Sequence, residues 1–191
     1  KTTSSMKFFN SATTLLVACA TLFSCSSDNM NLEPFDAEAQ LALEKETIRA
    51  FAAKEHPNAI EDSTGIWYEL LDTAETATFN YKFNQNGTQS IPNITVNYKL
   101  QLLNGTEGDK NQTAEGFTNR LSGLIPAWQI AFFPRAVGNQ KHLGLTARGL
   151  QPGDTMRIIT PSYYAYGNRN SGPIPANSPL IFEIKVLKIV D

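Results

Sequence analysis

Three features of the sequence predict an α+β fold: an antiparallel sheet covering one short helix and preceded by an amphipathic helix. Apolar runs with strand character dominate from Gly65 onward. One short helical stretch interrupts them at residues 124–133, and a longer helical pattern over residues 36–54 precedes them. The chain has 191 residues, 41% hydrophobic, enough for one globular domain with additions.

The chain opens with an address. Residues 6–25 read MKFFNSATTLLVACATLFSC, with Lys7 ahead of a short apolar run. That run is roughly half of the ~20 residues a membrane-spanning helix needs, so it fits the core of a secretory signal. It ends in Leu22-Phe23-Ser24-Cys25, which resembles a bacterial lipobox, although Phe23 is bulkier than the small residue usual there. Cys25 is therefore the expected lipidation site, and processing there removes Cys19, leaving no pair for a disulfide. The expected organisation is a leader over residues 1–24, with 1–5 upstream of a start at Met6, and a tether over 25–35. A helical segment over 36–62 and the main domain over 63–191 follow. Such a protein sits in the cell envelope, lipid-anchored to a bacterial membrane and, on this reading, periplasm-facing on the outer membrane or surface-displayed.

In the segment over 36–54, Ala39, Leu41, Leu43, Ile48, Phe51 and Ala52 recur by threes and fours around Glu44, Glu46 and Arg49. Asp36 is the expected N-cap and Pro57 the stop. The helix either packs on its own domain or pairs with a second copy as a homodimer. Strands are expected at residues 66–71, at 78–83 with Phe79, Tyr81 and Phe83 on one face, and at 94–102, 156–160 and 180–190. Asn86-Gly87 and Asn104-Gly105 are hairpin turns. In the central helix Pro126 suits the first turn.

Composition excludes several classes. The formal charge is −2, from 16 basic and 18 acidic residues, without a dense Lys/Arg run. A nucleic-acid partner is therefore not expected. Two His and two Cys are too few for an ordinary zinc or iron–sulfur site, so no metal or cofactor is expected. GxSxG, HExxH, P-loop and GxGxxG patterns are absent. Asp109 and Glu107 read as solvated carboxylates of a Gly-rich turn, not as an acid–base pair. An enzyme of this composition needs chemistry without metal or covalent nucleophile.

The C-terminal third narrows that choice. The run TPSYYAYG, followed by GPIPANSPLIFEIKVL, resembles the FKBP-type peptidyl-prolyl cis–trans isomerases in a bacterial lipoprotein form. ITVNYKLQLLNGT upstream and GLIPAW in the middle fall in that family's order. The resemblance implies an apolar pocket between an antiparallel sheet of five or six strands, half-wrapped around the short α-helix, and that helix, with Trp128 as floor and Tyr98 and Phe182 as walls. Asp109 would be the pocket carboxylate and Tyr166 would present its hydroxyl. Phe117 is a further wall, Leu124 and Ile125 bind substrate (Ile125 through its backbone N–H), and Ile174 closes the rim. Catalytic roles fall to Tyr98, Asp109, Trp128, Tyr166 and Phe182.

It also implies proline-containing unfolded or exported polypeptides as partners, and binding of the family's macrolide inhibitors. The runner-up is a non-catalytic chaperone or partner-binding module on the same fold. Three departures stand out. Gly108 replaces a bulky aromatic before the pocket Asp, which predicts a wider pocket or a more mobile turn. Asn170 stands near where some members carry a rim histidine. Residues 133–153 form a long connection, read as a substrate-contacting flap or a passive loop.

Overall fold

The computed structural model describes residues 36–83 and 88–191. The leader, lipobox Cys25, tether and Asn86-Gly87 turn lie outside the described residues.

Helix α1 (Ala37–Glu55) begins where Asp36 accepts the Ala39 N–H at 2.9 Å, satisfying one of the donors a helix N-terminus leaves unpaired. It ends with the His56 N–H on the Ala52 carbonyl, just ahead of Pro57. Its buried residues are Glu44, Ile48 and Ala52, one per turn. The expected stripe is thus corrected: Ala39 is exposed and Leu43 is 74% exposed, while Ile48 and Ala52, with Phe51 partly buried beside them, meet the sheet and Glu44 meets Ser162.

The main sheet contains β1 (Ile60–Glu61), β2 (Trp67–Asp72), β3 (Asn93–Leu102), β4 (Glu107–Asn111), β5 (Phe117–Arg120), β8 (Thr155–Thr160) and β9 (Leu180–Val190). Helix α2 (Pro126–Phe132) and a small ribbon of β6 (Ala136–Val137) and β7 (Gln140–Lys141) lie between β5 and β8. The order is β1-β2-β8-β9-β3-β4, antiparallel throughout, with β5 also pairing β3. Seven strands replace the five or six expected, because the two-residue β1 is too short to read and one edge of β3 is shared by β4 and β5.

Side chains alternate across this sheet. Ile94, Val96 and Leu100 of β3, Met156 and Ile158 of β8, and Phe182, Ile184 and Val186 of β9 share a core with Ala127, Trp128 and Ala131 of α2. On the other face Ile159 and Ile181 form a second cluster with Ile48 and Ala52 of α1, flanked by Phe51, Trp67 and Leu103. The neighbours Ile158/Ile159 and Ile181/Phe182 are therefore buried on opposite faces, and these strands read as continuous apolar runs. The apolar face of α1 is spent on its own sheet.

The strand expected at 78–83 is absent; only an isolated bridge pairs Phe83 with Gln89. Its alternation is nonetheless used. Tyr81 is buried with its hydroxyl donating to the Leu150 carbonyl at 2.8 Å, and the Phe79 N–H donates to Gln151 Oε1 at 2.9 Å. The partners come from a loop, so no ladder forms.

That loop is the long connection over 133–153, and hydrogen bonds fix it in place. The Leu145 and Leu150 N–H groups bond the Ile130 and Phe132 carbonyls at 3.3 and 3.0 Å, satisfying acceptors that the end of α2 would leave orphaned. Both leucines are buried in the core. Asp154, 1% exposed, accepts from Arg148 Nη2 and from the Ala74 and Gln151 amides, and Arg148 Nη1 donates to the Ala74 carbonyl. This knot ties residues 73–83 to the end of the loop.

Gly149 is where the loop crosses the end of α2, at φ 70°. A Cβ there would lie 2.5 Å from the Phe132 carbonyl oxygen and 2.6 Å from the Tyr81 ring. Gly105, at φ 85°, has open space instead. Gly149→Ala is therefore expected to cost about 3 kcal/mol, from backbone strain and overpacking together, against about 1 kcal/mol for Gly105→Ala. Chemical denaturation of the two variants measures the difference; equal losses would show that the crossing has room to relax.

Candidate active site

The β3–β9 register places Tyr98 opposite Ile184 and Leu100 opposite Phe182, while β4 sets Asp109 opposite Leu100. Phe182, Leu100 and Asp109 thus form one row across three strands. Alternation sends the apolar pair toward α2. Tyr98, Leu100, Asp109, Phe117, Gly123, Leu124, Ile125, Trp128, Tyr166 and Phe182 line one cavity of about 300 Å³. Four stretches far apart in sequence converge there.

The aromatic walls meet edge to face, the geometry that aligns ring edges with neighbouring π-faces. Tyr98 stands 5.3 Å from Trp128 at 80° and 5.6 Å from Phe117 at 73°, and Phe182 stands 5.7 Å from Trp128 at 90°. Trp128 also stacks on Phe132 inside α2. The Trp128 indole nitrogen is buried without a hydrogen-bond partner among the described residues.

Pro126 begins α2, and the residue before a proline is held extended. Ile125 accordingly sits at φ −58°, ψ 152°. Its N–H finds no partner among the described residues. The Leu124 carbonyl is held by Gln129 Nε2 at 2.9 Å. An extended backbone with a free donor at a cavity wall is suited to receive a peptide carbonyl.

Asp109 belongs to strand β4, not to a turn, and is exposed to solvent. Its Oδ2 accepts the Tyr98 hydroxyl at 2.6 Å and its Oδ1 the Lys110 N–H at 2.8 Å. Glu107 turns instead to Lys110, 2.7 Å away. Burial pushes the Tyr98 hydroxyl far above the usual phenol range, and the bond and charge of Asp109 push it further. Burial also raises Tyr166, partly offset by the neighbouring Ser171 hydroxyl. Both phenols keep their protons through any physiological pH.

Tyr166 follows a 3-10 turn (Ser162–Tyr164) after β8. Gly167, at φ 59°, donates its N–H to the Ser162 carbonyl at 2.8 Å and bends the chain there.

Ile174 lies apart from the lining, 3% exposed. A Cβ built on Gly108 would meet Ile174 at 3.2 Å and Leu100 at 3.3 Å. The position before Asp109 is therefore filled by Ile174 from a distant loop, and the wider pocket expected from Gly108 gives way to a closed contact. Asn170 accepts the Ala176 N–H at 2.8 Å and braces that loop. No described residue of 133–153 lines the cavity. Leu100 and Gly123 are lining residues that the sequence reading passed over; Leu100 was legible, as the next inward residue after Tyr98.

Residues 84–187 match the family described as FKBP-type peptidyl-prolyl cis-trans isomerase. The chain is 25% identical over 155 residues to FkpA of Escherichia coli, covering 81% of this chain and 48% of that protein. It thus spans about half the length of the curated relative. The crystal structure of Escherichia coli FkpA superposes with a TM-score of 0.54 at 26% identity, over 81% of this chain and 61% of the other. A peptidyl-prolyl cis-trans isomerase from Pseudomonas syringae shares the fold, with a TM-score of 0.53 at 24% identity, over 82% and 97% of the two chains.

The Tyr98 hydroxyl gives a linkage prediction. An unfolded tyrosine ionises near pH 10, whereas the folded state holds this proton to higher pH. The stabilisation is complete below pH 10 and is lost as pH rises from there toward the folded pKa, since only the unfolded state releases the proton. Wild type should therefore lose stability above pH 10 more steeply than Tyr98→Phe, and the two curves should run parallel from pH 7 to 9. Parallel curves at high pH as well would mean that Asp109 and burial do not hold this proton.

Proposed function

The chain belongs to the FKBP-type peptidyl-prolyl cis-trans isomerase family, and from that premise we propose that it catalyses rotation of X–Pro amides in exported polypeptides as they fold. The observation that carries this reading is the cavity bounded by Trp128, Tyr98, Phe117 and Phe182, with a free Ile125 N–H at its wall.

The planar X–Pro amide resists rotation because its C–N bond has partial double-bond character, with a barrier of ~18–20 kcal/mol. Its two isomers differ by only about 0.5–1 kcal/mol, so the reaction needs no energy input. The twisted transition state has lost amide resonance and is less polar across C–N. Apolar aromatic walls that exclude water favour it over the planar ground state. Trp128 forms the floor under the proline ring, and Tyr98, Phe117 and Phe182 enclose it. The Ile125 N–H and the Tyr166 hydroxyl hold flanking carbonyls, so that rotation is confined to one bond. Asp109 orients the Tyr98 hydroxyl. No proton moves, in keeping with two pocket phenols that stay protonated.

Residues 6–25 support placement in a bacterial envelope with Cys25 as the lipid anchor, since an acylated cysteine binds a membrane in proportion to its buried CH₂ groups. With the leader removed, the tether that begins at Cys25 then holds residues 36–191 outside the cytoplasm, facing unfolded clients. A homodimer through α1 would have to use the face carrying Leu43, because Ile48 and Ala52 are already covered. The apolar cavity also suits macrolide inhibitors of the family's kind.

The test is isomerisation of Ala-X-Pro-Phe peptides, with Leu or Phe as X. Wild type should shorten the uncatalysed time of tens to hundreds of seconds. Trp128→Ala and Tyr166→Phe should each lower kcat/KM about tenfold or more while the protein stays folded. A folded wild type inactive on every X would sink the catalytic reading in favour of client holding.

A further inference from the structure

Helix α1 lies on the sheet face opposite α2, yet it reaches the loop that carries Tyr166. Its Glu44, 5% exposed, accepts the Ser162 N–H on Oε2 at 2.7 Å and the Ser162 hydroxyl on Oε1 at 2.6 Å. Gln40 Nε2, one turn earlier, donates to the same Oε1 at 2.5 Å. A carboxylate taken out of water is costly unless donors replace its hydration, and here three neutral donors do so. For packing alone, an apolar residue between Gln40 and Ile48 would serve better.

The need that Glu44 meets is on the other side of the contact. Ser162 opens the 3-10 turn after β8, and the residue at its cap position, Pro161, offers no side-chain acceptor. Without Glu44 the Ser162 N–H would be a buried orphan, in a residue only 1% exposed. The carbonyl of Ser162 in turn accepts the Ala165 and Gly167 N–H groups at 2.9 and 2.8 Å, and the Gly167 carbonyl accepts the Asn177 N–H at 2.8 Å. Tyr166 thus sits between two residues whose amides hang on Ser162, and Ser162 hangs on Glu44.

We propose that Glu44 is a positioning residue for the isomerase site: from α1 it fixes Ser162 and, through Ser162, the backbone that aims the Tyr166 hydroxyl into the cavity. The proposal rests on the isomerase reading for its catalytic consequence, but not for the ordering of the loop. Helix α1 is then a working part of the site, although none of its residues touches substrate.

The experiment pairs hydrogen exchange with kinetics on the full chain, comparing wild type, Glu44→Ala, Glu44→Gln and Ser162→Ala, each with and without Tyr166→Phe. In Glu44→Ala the Ser162, Ala165 and Gly167 amides should exchange about tenfold faster or more, while core amides of β8 and β9 keep their protection. The kcat/KM of Glu44→Ala should fall about tenfold when Tyr166 is present and less than twofold in Tyr166→Phe, because residues acting through one contact are not additive. Glu44→Gln, which can still accept the Ser162 N–H and donate to its Oγ, should stay within about threefold of wild type.

If Glu44→Ala fails to fold, Ser162→Ala carries the cycle with a smaller effect of the same pattern. The proposal is overturned by folded variants whose loop amides keep their protection, or by equal losses of kcat/KM in both Tyr166 backgrounds. A wild type without isomerase activity would refute the functional reading separately, and exchange alone would then decide whether Glu44 orders the loop.

Discussion

The pairing of β3 with β9 is the constraint on which the rest depends. Each strand has neighbours on both sides, and the register between them decides which side chains meet α2. A slip of one residue would turn either Tyr98 and Leu100 or Phe182 to the far face and bring Lys99 and Gln101, or Glu183, inward. The cavity would vanish and a charged residue would face Trp128. Ile94, Val96 and Leu100 of β3 and Phe182, Ile184 and Val186 of β9 are buried, so the penalty for the slip is large and the register is unambiguous. Pairing of β4 and β5 on the free edge of β3 then follows, and with it the placement of Asp109 and Phe117.

The second constraint is polar. Helix α2 is seven residues long and largely buried, so its end must find partners for its carbonyls within the protein. Residues 144–150 supply them, and they pass close enough that Gly144 and Gly149 have no room for a side chain. Asp154, Arg148 and Gln151 then satisfy one another and the returning segment 73–83. The long connection is thus explained by hydrogen bonding at the far end of the helix. The cavity begins at the other end, at Leu124 and Ile125, and the two ends serve different purposes.

Much of this was legible because it is local or periodic. Asp36 as N-cap, Pro126 as the first residue of α2, and alternation along β3 and β9 are written in adjacent residues. What escaped reading depends on partners distant in sequence. Glu44 looks like a solvent-facing position of an amphipathic helix; its burial follows from Ser162, 118 residues later. Phe79, Tyr81 and Phe83 alternate as a strand would, yet their partners are side chains and carbonyls of a loop. Ile174 belongs to a rim motif by resemblance, and its contact with Gly108 appears only when two distant loops are brought together. The site residues taken from the resemblance, Tyr98, Trp128, Tyr166 and Phe182 among them, do converge, because the register that gathers them is itself set by the periodic strands.

The exchange of volume between positions 108 and 174 bears on how such a site can vary. A pocket that acts by excluding water and offering apolar surface needs area and shape at its walls, not a particular atom at a particular position. Glycine at 108 opens room, and Ile174 together with Leu100 takes it up, so the row from Phe182 to Asp109 stays closed. A proton-transfer site would not tolerate this, since an acid or base must sit within hydrogen-bond reach of one reacting atom. The few groups here that do need fixed directions are the Ile125 N–H and the hydroxyls of Tyr98 and Tyr166. Each has its own support, from Pro126, from Asp109 and from the Ser162 turn. Rigidity is concentrated where direction matters and relaxed where only bulk does, and that division suits the proposed reaction, in which a single bond turns and no proton is passed.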